Sequence, residues 1–350
     1  MLGESTDPSS SITIVTPVCS DIDLHEAWDE SSDTVSDEDS TGNSISWSKY
    51  RLIIREATAE FLAVMIVVIF GIGVDCQVML SMHTGVASFP QGDPLTLRLG
   101  WAIGGVMGNY LSGGISGGHI NPAVGDLLCP LTATNTRVNN RFTLALAVFR
   151  GFSWKKVPKP HKLVYMLAQL LGATVGSTVV YANYISAINI VEGGRHIRTR
   201  TTASLFCTYA LDYTTNISAF FSEFLATAIL MCMLLAFGDH SNMAVPASLA
   251  PFVSLLLTLG IGVSLGMQTG YTLNPARDLG SRFMTAMVGY GLQAFTYRNQ
   301  YWLWCSVMAP FIGCLAGAGL YDVLLFTGKE SIVNRPTVKS PITAQLSLSW

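Results

Sequence analysis

Residues Gly270 to Arg282 read GYTLNPARDLGSR. They follow VSLLLTLGIGVSLGM (Val253–Met267) and precede YWLWCSVMAPFIGCLAGAGL (Tyr301–Leu320), two runs fit only for an apolar medium. An earlier stretch, GGHINPAV (Gly117–Val124), is built in nearly the same way. Asparagine is a favoured helix N-cap and proline a favoured first helical residue. Asn121-Pro122-Ala123 and Asn274-Pro275-Ala276 therefore each predict the start of a short helix. In a bilayer, irregular backbone is tolerated only where it is buried in protein or lines a watery cavity.

The rest of the chain fits a bilayer. Half of its 350 residues are hydrophobic, 12% are charged and the mean hydropathy is +0.42. A soluble domain carries about twice that charge fraction. A spanning helix needs about 20 mostly apolar residues. Six runs qualify: Phe61–Leu80, Leu95–Gly113, Leu163–Tyr184, Phe221–Phe237, Val245–Met267 and Trp302–Leu325. One or two such runs could be buried helices of a soluble protein; six with almost no internal charge point to an all-α membrane protein.

Residues 1–48 hold eleven acids and no Lys or Arg, and read as a disordered acidic tail with no signal peptide. The remainder holds twenty bases and twelve acids. The expected organisation is this tail, a channel domain over 49–328 with halves at about 51–184 and 218–326, and a second tail over 329–350. Six spans put both termini on one side. Thirteen of the twenty bases fall on that side, which predicts cytoplasmic termini. Basic loops of a membrane domain explain this charge, so no nucleic-acid partner is expected. Asn216-Ile-Ser is a glycosylation sequon on the outer side, but it abuts a span. The seven cysteines form no Cys-x-x-Cys pair, which argues against a disulfide or metal site; only Cys207 is placed clearly on the outer side.

The chain also repeats. AEFLAVMIVVIFG begins at Ala59 and SEFLATAILMCMLLAFG at Ser222, and each is followed by a span and then by Asn-Pro-Ala. Three spans per half make the second half inverted, and inverted repeats place a pathway at their interface. The two short helices should then enter from opposite sides and meet at their N-termini. Their converging positive ends disfavour cations, hydronium included. Arg277, three residues after Asn274, shares that helix face and reads as a pore-lining donor, because a charged side chain in a membrane needs a polar cavity.

With two Asn-Pro-Ala motifs in inverted halves, and Glu60 and Glu223 at matching places, the sequence resembles the aquaporin (major intrinsic protein) family over about Arg51 to Phe326. Asp278 directly after Arg277 resembles its glycerol-conducting branch, the aquaglyceroporins of fungal type. The resemblance implies six tilted helices with two re-entrant half-helices, one pore per subunit and a homotetramer in the plasma membrane. It also implies a passive channel for glycerol, other small neutral solutes and water. By offset from the two asparagines, it places a selectivity filter at Trp101, Gly262, Tyr271 and Arg277. Gly262 leaves room where water-selective relatives carry a bulky His, and Val245–Met267 contains no histidine. Without those offsets, Trp101 would read as an interfacial aromatic, and Tyr271 and Gly262 as helix packing.

Glu60 and Glu223 are expected to accept hydrogen bonds from the loops ahead of each half-helix rather than to relay protons. His119 is expected to pack that loop, with no second His or Cys at ligand spacing. No cofactor, metal or catalytic group is implied, so the chain should not be an enzyme. The alternatives are a water-selective aquaporin and a proton-coupled polyol transporter.

One departure stands out. After Val124 the relatives run straight through the half-helix. Here GDLLCPLTATNTRVNNRF (Gly125–Phe142) intervenes before TLALAVFRGFSWKKVPK (Thr143–Lys159). Pro130 would break a helix begun at Pro122. Either the half-helix is rebuilt from Ala123–Cys129, or the eighteen residues are an intron read through in frame. We adopt the second reading, and a transcript that predominantly retains these codons overturns it. The acidic tail lacks the apolar periodicity of a core, so deletion of residues 1–48 should leave solute flux in proteoliposomes unchanged; loss of the folded channel would contradict this.

Overall fold

The computed structural model describes residues 47–124 and 161–328. Of the expected tail over 1–48, residues 1–46 lie outside the described residues, as do the intervening Gly125–Phe142 and the C-terminal tail from 329, whereas Trp47 and Ser48 open the first helix. Those described are helical, with no strand among them.

Six long helices carry the fold: α1 (Trp47–Ser81), α2 (Pro94–Ser112), α3 (His161–Glu192), α5 (Asn216–Phe237), α6 (Ala250–Leu265) and α9 (Ala309–Leu324), the last entered through a π-helical stretch at Trp302–Met308. Shorter elements are α4 (Arg200–Ala203), α7 (Pro275–Thr285), which runs into a π turn, and α8 (Gln293–Thr296). Four of the long helices, α1, α3, α5 and the Trp302–Leu324 run, are long and apolar enough to cross a membrane. The other two, α2 and α6, occupy the remaining spans expected from the sequence. Each expected span coincides with a helix, with shifted ends. The fifth is shorter than expected because Gly266 caps α6 at its C-terminal end and Pro251 sits in its first turn. The first is longer because the helix continues through the polar residues ahead of Phe61.

Local signals set several helix starts. Asp93 caps α2 in a capping box, accepting from Thr96 N at 2.9 Å while its own N–H donates to Thr96 Oγ1 at 3.2 Å. Thr215 caps α5, and Asn274 with Pro275 opens α7.

The polarity of the packing is that of a membrane protein. Leu167, Leu171, Val175 and Val179 form an exposed stripe on α3, whereas Glu60, Gln169, Glu223, Asp278 and Arg282 are fully buried. Apolar side chains meet lipid at no cost, while polar groups must find partners inside.

Without a hydrophobic drive between helices, close approach does the work, and small residues permit it. A Cβ on Gly172 of α3 would stand 2.2 Å from the Phe61 carbonyl oxygen of α1, and one on Gly176 2.8 Å from that of Met65. In the second half, Gly313 and Gly317 of α9 meet the carbonyl oxygens of Phe224 and Ala228 of α5 at 2.4 and 2.1 Å in the same sense. Phe61 and Phe224 each follow the buried glutamate of their half, so the same seam is built twice. The half-helix α7 docks on α3, with Ser177 and Ser281 hydroxyls 2.8 Å apart and Thr174 Oγ1 donating to the Gly280 carbonyl at 3.1 Å.

The five described cysteines are free. Cys207 is buried, with its Sγ 3.6 Å from the Thr285 hydroxyl. Substitution Gly317→Leu should force α5 and α9 apart at a cost of about 1–3 kcal/mol or more. The check is the yield of monodisperse protein in detergent, which should fall sharply.

Candidate functional site

The two Asn-Pro-Ala segments meet at their helix N-termini in the interior. Each asparagine caps its own helix: Asn121 Oδ1 accepts from Ala123 N at 3.0 Å, and Asn274 Oδ1 from Ala276 N at 3.0 Å and Arg277 N at 3.3 Å. Each then reaches across to the other loop. Asn121 Nδ2 donates to the Leu273 carbonyl at 2.9 Å, and Asn274 Nδ2 donates to the Ile120 carbonyl at 2.7 Å. A carboxamide has two N–H groups, so one is committed to the opposite loop and one is left for the lumen. Of the first half-helix, Pro122–Val124 are described; Ala123 and Val124 are buried.

The loops ahead of these helices are strained. Ile120, Tyr271 and Leu273 have φ of 45°, 41° and 51°, beside Gly118 at 65° and Gly270 at 83°. Non-glycine residues there cost about 1–3 kcal/mol each and persist only when the surroundings over-determine them. The buried glutamates do so. Glu60 Oε1 accepts from His119 N at 3.0 Å and Oε2 from Ile120 N at 2.9 Å, with Gln169 Nε2 adding a bond to Oε2 at 2.8 Å. Glu223 accepts from Thr272 N at 2.9 Å and Leu273 N at 3.2 Å. His119 packs in its loop with Nδ1 3.3 Å from Glu60 Oε1, and among the described residues no cluster of His, Cys, Asp or Glu could hold a metal ion.

A cavity of about 180 Å³ runs between the halves. Its walls include Trp101, His119, Asn121, Tyr271, Asn274 and Arg277. At one end three of the four expected filter residues converge. The Arg277 guanidinium lies over the Trp101 indole, with Cζ 4.2 Å from the ring centroid. Arg277 is 7% exposed; its Nη1 has no hydrogen-bond partner and its nearest carboxylate oxygen, Asp278 Oδ1, is 3.6 Å away. Trp101 Nε1 donates to Asp75 Oδ2 at 3.0 Å. Gly262 does not itself reach the cavity. It lies behind Tyr271, where a Cβ would stand 3.1 Å from Tyr271 Cζ and 3.3 Å from Arg98 Cδ.

Asp278 turns away from the lumen. Its Oδ1 accepts from Thr208 N and Thr208 Oγ1, both at 2.7 Å, and its Oδ2 from Arg282 Nε at 2.6 Å. Arg282 also donates to the Thr208 and Ala294 carbonyls. This network ties α7 to the segment around Thr208. Arg282 is 0% exposed. Its spacing of four from Asp278 in an apolar setting was the available signal. Asp75, Arg98 and Gln169 were also missed. Each is a polar residue inside a span, a signal that names a residue without naming its partner.

A half-helix and the opening turn of a second, joined through their capping asparagines inside a bundle of long apolar helices, define a membrane channel. The family model described as "Major intrinsic protein" matches residues 46–321, and the chain belongs to that family. It is 55% identical over 289 residues to Aquaporin-6 of Laccaria bicolor, covering 83% of this chain and 85% of that protein. It is 43% identical over 294 residues to Aquaglyceroporin-9 of Botryotinia fuckeliana, covering 83% of this chain and 58% of that one. Among solved structures it resembles the aquaglyceroporin from Plasmodium falciparum, with a TM-score of 0.61 and 29% identity, over 77% of this chain and 96% of that one. Members of the family are channels, not enzymes. Breaking a buried, hydrogen-bonded ion pair by removing one partner costs about 3–5 kcal/mol. Asp278→Ala should therefore lower the thermal unfolding temperature in detergent strongly, and far more than the same change at the exposed Asp212.

Proposed function

We propose that this channel passes glycerol and other small neutral solutes together with water, and excludes protons and ions. The observation that carries the reading is the constriction of Trp101, Tyr271 and Arg277. Two aromatic walls would face the carbon edge of a polyol, and the Arg277 guanidinium, which lines the cavity, would face its hydroxyls. Gly262 supports the reading, since no side chain from α6 enters the constriction there. The unused N–H of each capping asparagine would take over the hydrogen bonds of a passing solute. The convergent positive helix ends and Arg277 would repel cations and protons.

A coupled transporter is the weaker reading. Both oxygens of Glu60 and of Glu223 are occupied by backbone N–H groups, which suits a brace and not a carrier of protons. A water-selective pore draws on one specific observation, that the space beside Gly262 is occupied by Tyr271 and Arg98. On the family resemblance we further propose a homotetramer in the plasma membrane. The cytoplasmic placement of both termini follows from the charge asymmetry. The division into tail, channel and tail at 1–48, 49–328 and 329–350 is proposed with it.

Proteoliposome swelling under a glycerol gradient tests the central claim: glycerol flux should exceed that of empty liposomes and be indifferent to an imposed pH gradient. Gly262→His should then reduce glycerol flux much more than water flux. Equal loss of both would place the filter elsewhere.

A further inference from the structure

Both aromatic walls of the constriction are held from behind by residues outside the Asn-Pro-Ala motifs. Trp101 is anchored through its indole N–H on Asp75. Tyr271 is backed by Arg98 of α2, one turn before Trp101. The Arg98 guanidinium lies over the Tyr271 ring, with Cζ 4.7 Å from its centroid, and Nη2 donates to the Gly266 carbonyl at 3.3 Å. Gly262 of α6 and the capping Gly266 lie one turn apart and leave a groove. A Cβ on Gly266 would stand 2.7 Å from Tyr271 Cδ1 and 3.1 Å from Arg98 Cζ. The corresponding distances at Gly262, 3.1 Å to Tyr271 Cζ and 3.3 Å to Arg98 Cδ, show the stem in the same groove. The groove is therefore filled. An arginine in a span is costly unless it finds acceptors or a polar surface; Arg98 finds a carbonyl and the face of an aromatic ring.

We infer that Arg98 is a positioning residue that sets the width of the constriction: by filling the groove left by Gly262 and Gly266, it denies Tyr271 room to withdraw and holds that ring against the permeation path. This rests on the proposed polyol-and-water channel. Gly262 removes one obstacle from the filter, and Arg98 returns part of that volume from a neighbouring helix. The size limit for solutes is then decided by the pair. Shortening Arg98 to alanine leaves a void behind Tyr271 into which the ring can relax, because cavities in packed interiors partly collapse. A lysine keeps a long stem in the groove and a cation at its end.

The test uses the full-length channel in proteoliposomes, measuring water, urea, glycerol and erythritol permeability for the wild type, Arg98→Ala, Arg98→Lys and Gly262→Ala. In Arg98→Ala the erythritol-to-glycerol ratio should rise several-fold with water permeability per channel retained. In Arg98→Lys that ratio should stay near wild type. An unchanged ratio in Arg98→Ala overturns the inference. So does equal widening in Arg98→Lys, where the groove is still filled. If Arg98→Ala does not assemble, Gly262→Ala decides: its Cβ should push Tyr271 into the path and lower the glycerol-to-water ratio, and an unchanged ratio overturns the inference. If the wild type passes water but no glycerol, the polyol reading fails separately. Arg98→Ala should then acquire glycerol permeation, and its failure to do so overturns the inference.

Discussion

Two strained loops meet in the interior between the halves, where their backbone N–H groups turn away from the cavity, and Glu60 and Glu223 supply the acceptors. The energetics decide the arrangement. Each loop holds a non-glycine residue with φ near 45–51° at the position before its Asn, a conformation that costs about 1–3 kcal/mol when nothing supports it. An unsatisfied amide in hydrocarbon costs several more. A buried carboxylate that accepts two adjacent backbone N–H groups offsets both penalties, and its own charge is stabilised by those bonds. The strain has a use. It turns the Ile120 and Leu273 carbonyls toward the opposite half, where each receives one N–H of the partner asparagine. The junction is thus closed by four side chains, two glutamates and two asparagines, related by the inversion of the repeat.

The helices carry the same inversion. Gly172 and Gly313 face the carbonyls of Phe61 and Phe224, the residues that follow the two glutamates. Close backbone approach at these seams fixes the depth and rotation of α1 and α5, and hence where Glu60 and Glu223 meet their loops. Packing and polar satisfaction therefore depend on each other. A helix displaced at its glycine seam would carry its carboxylate away from the loop it supports.

Around the second half-helix, charge is handled by pairing. Asp278 and Arg282 neutralise each other in a site with no exposure and bind the Thr208 segment to α7. Arg277, one residue away, lines the cavity with an indole ring against its face, and its Nη1 stands 3.6 Å from Asp278 Oδ1. A charge this close to a carboxylate would ordinarily be drawn into the pair. Here Thr208 and Arg282 hold the carboxylate at 2.6–2.7 Å, so Arg277 keeps only a longer contact of 3.6 Å to it and still lines the lumen. Sequence neighbours thus take opposite duties, and the helix period separates them: Asp278 and Arg282 share a face that Arg277 does not.

What the sequence determined by itself is the material that repeats or has local meaning. The six spans were legible from apolar runs. The helix starts at Asn121 and Asn274 were legible from capping chemistry, and the inversion from the paired glutamates and an odd number of spans per half. These signals are local, because hydropathy and capping act within one turn or one span. Only the tertiary structure decided the rest. That Gly262 backs Tyr271 without reaching the cavity, that Arg98 fills the groove beside it, that Asp75 anchors Trp101 and that Arg282 is buried on Asp278 and two carbonyls are all facts about partners distant in sequence. A polar residue in a span declares that it needs a partner, because hydrocarbon offers none. Which partner it finds depends on how the helices cross, and that is set by close approaches at a few glycines that no single stretch of sequence contains.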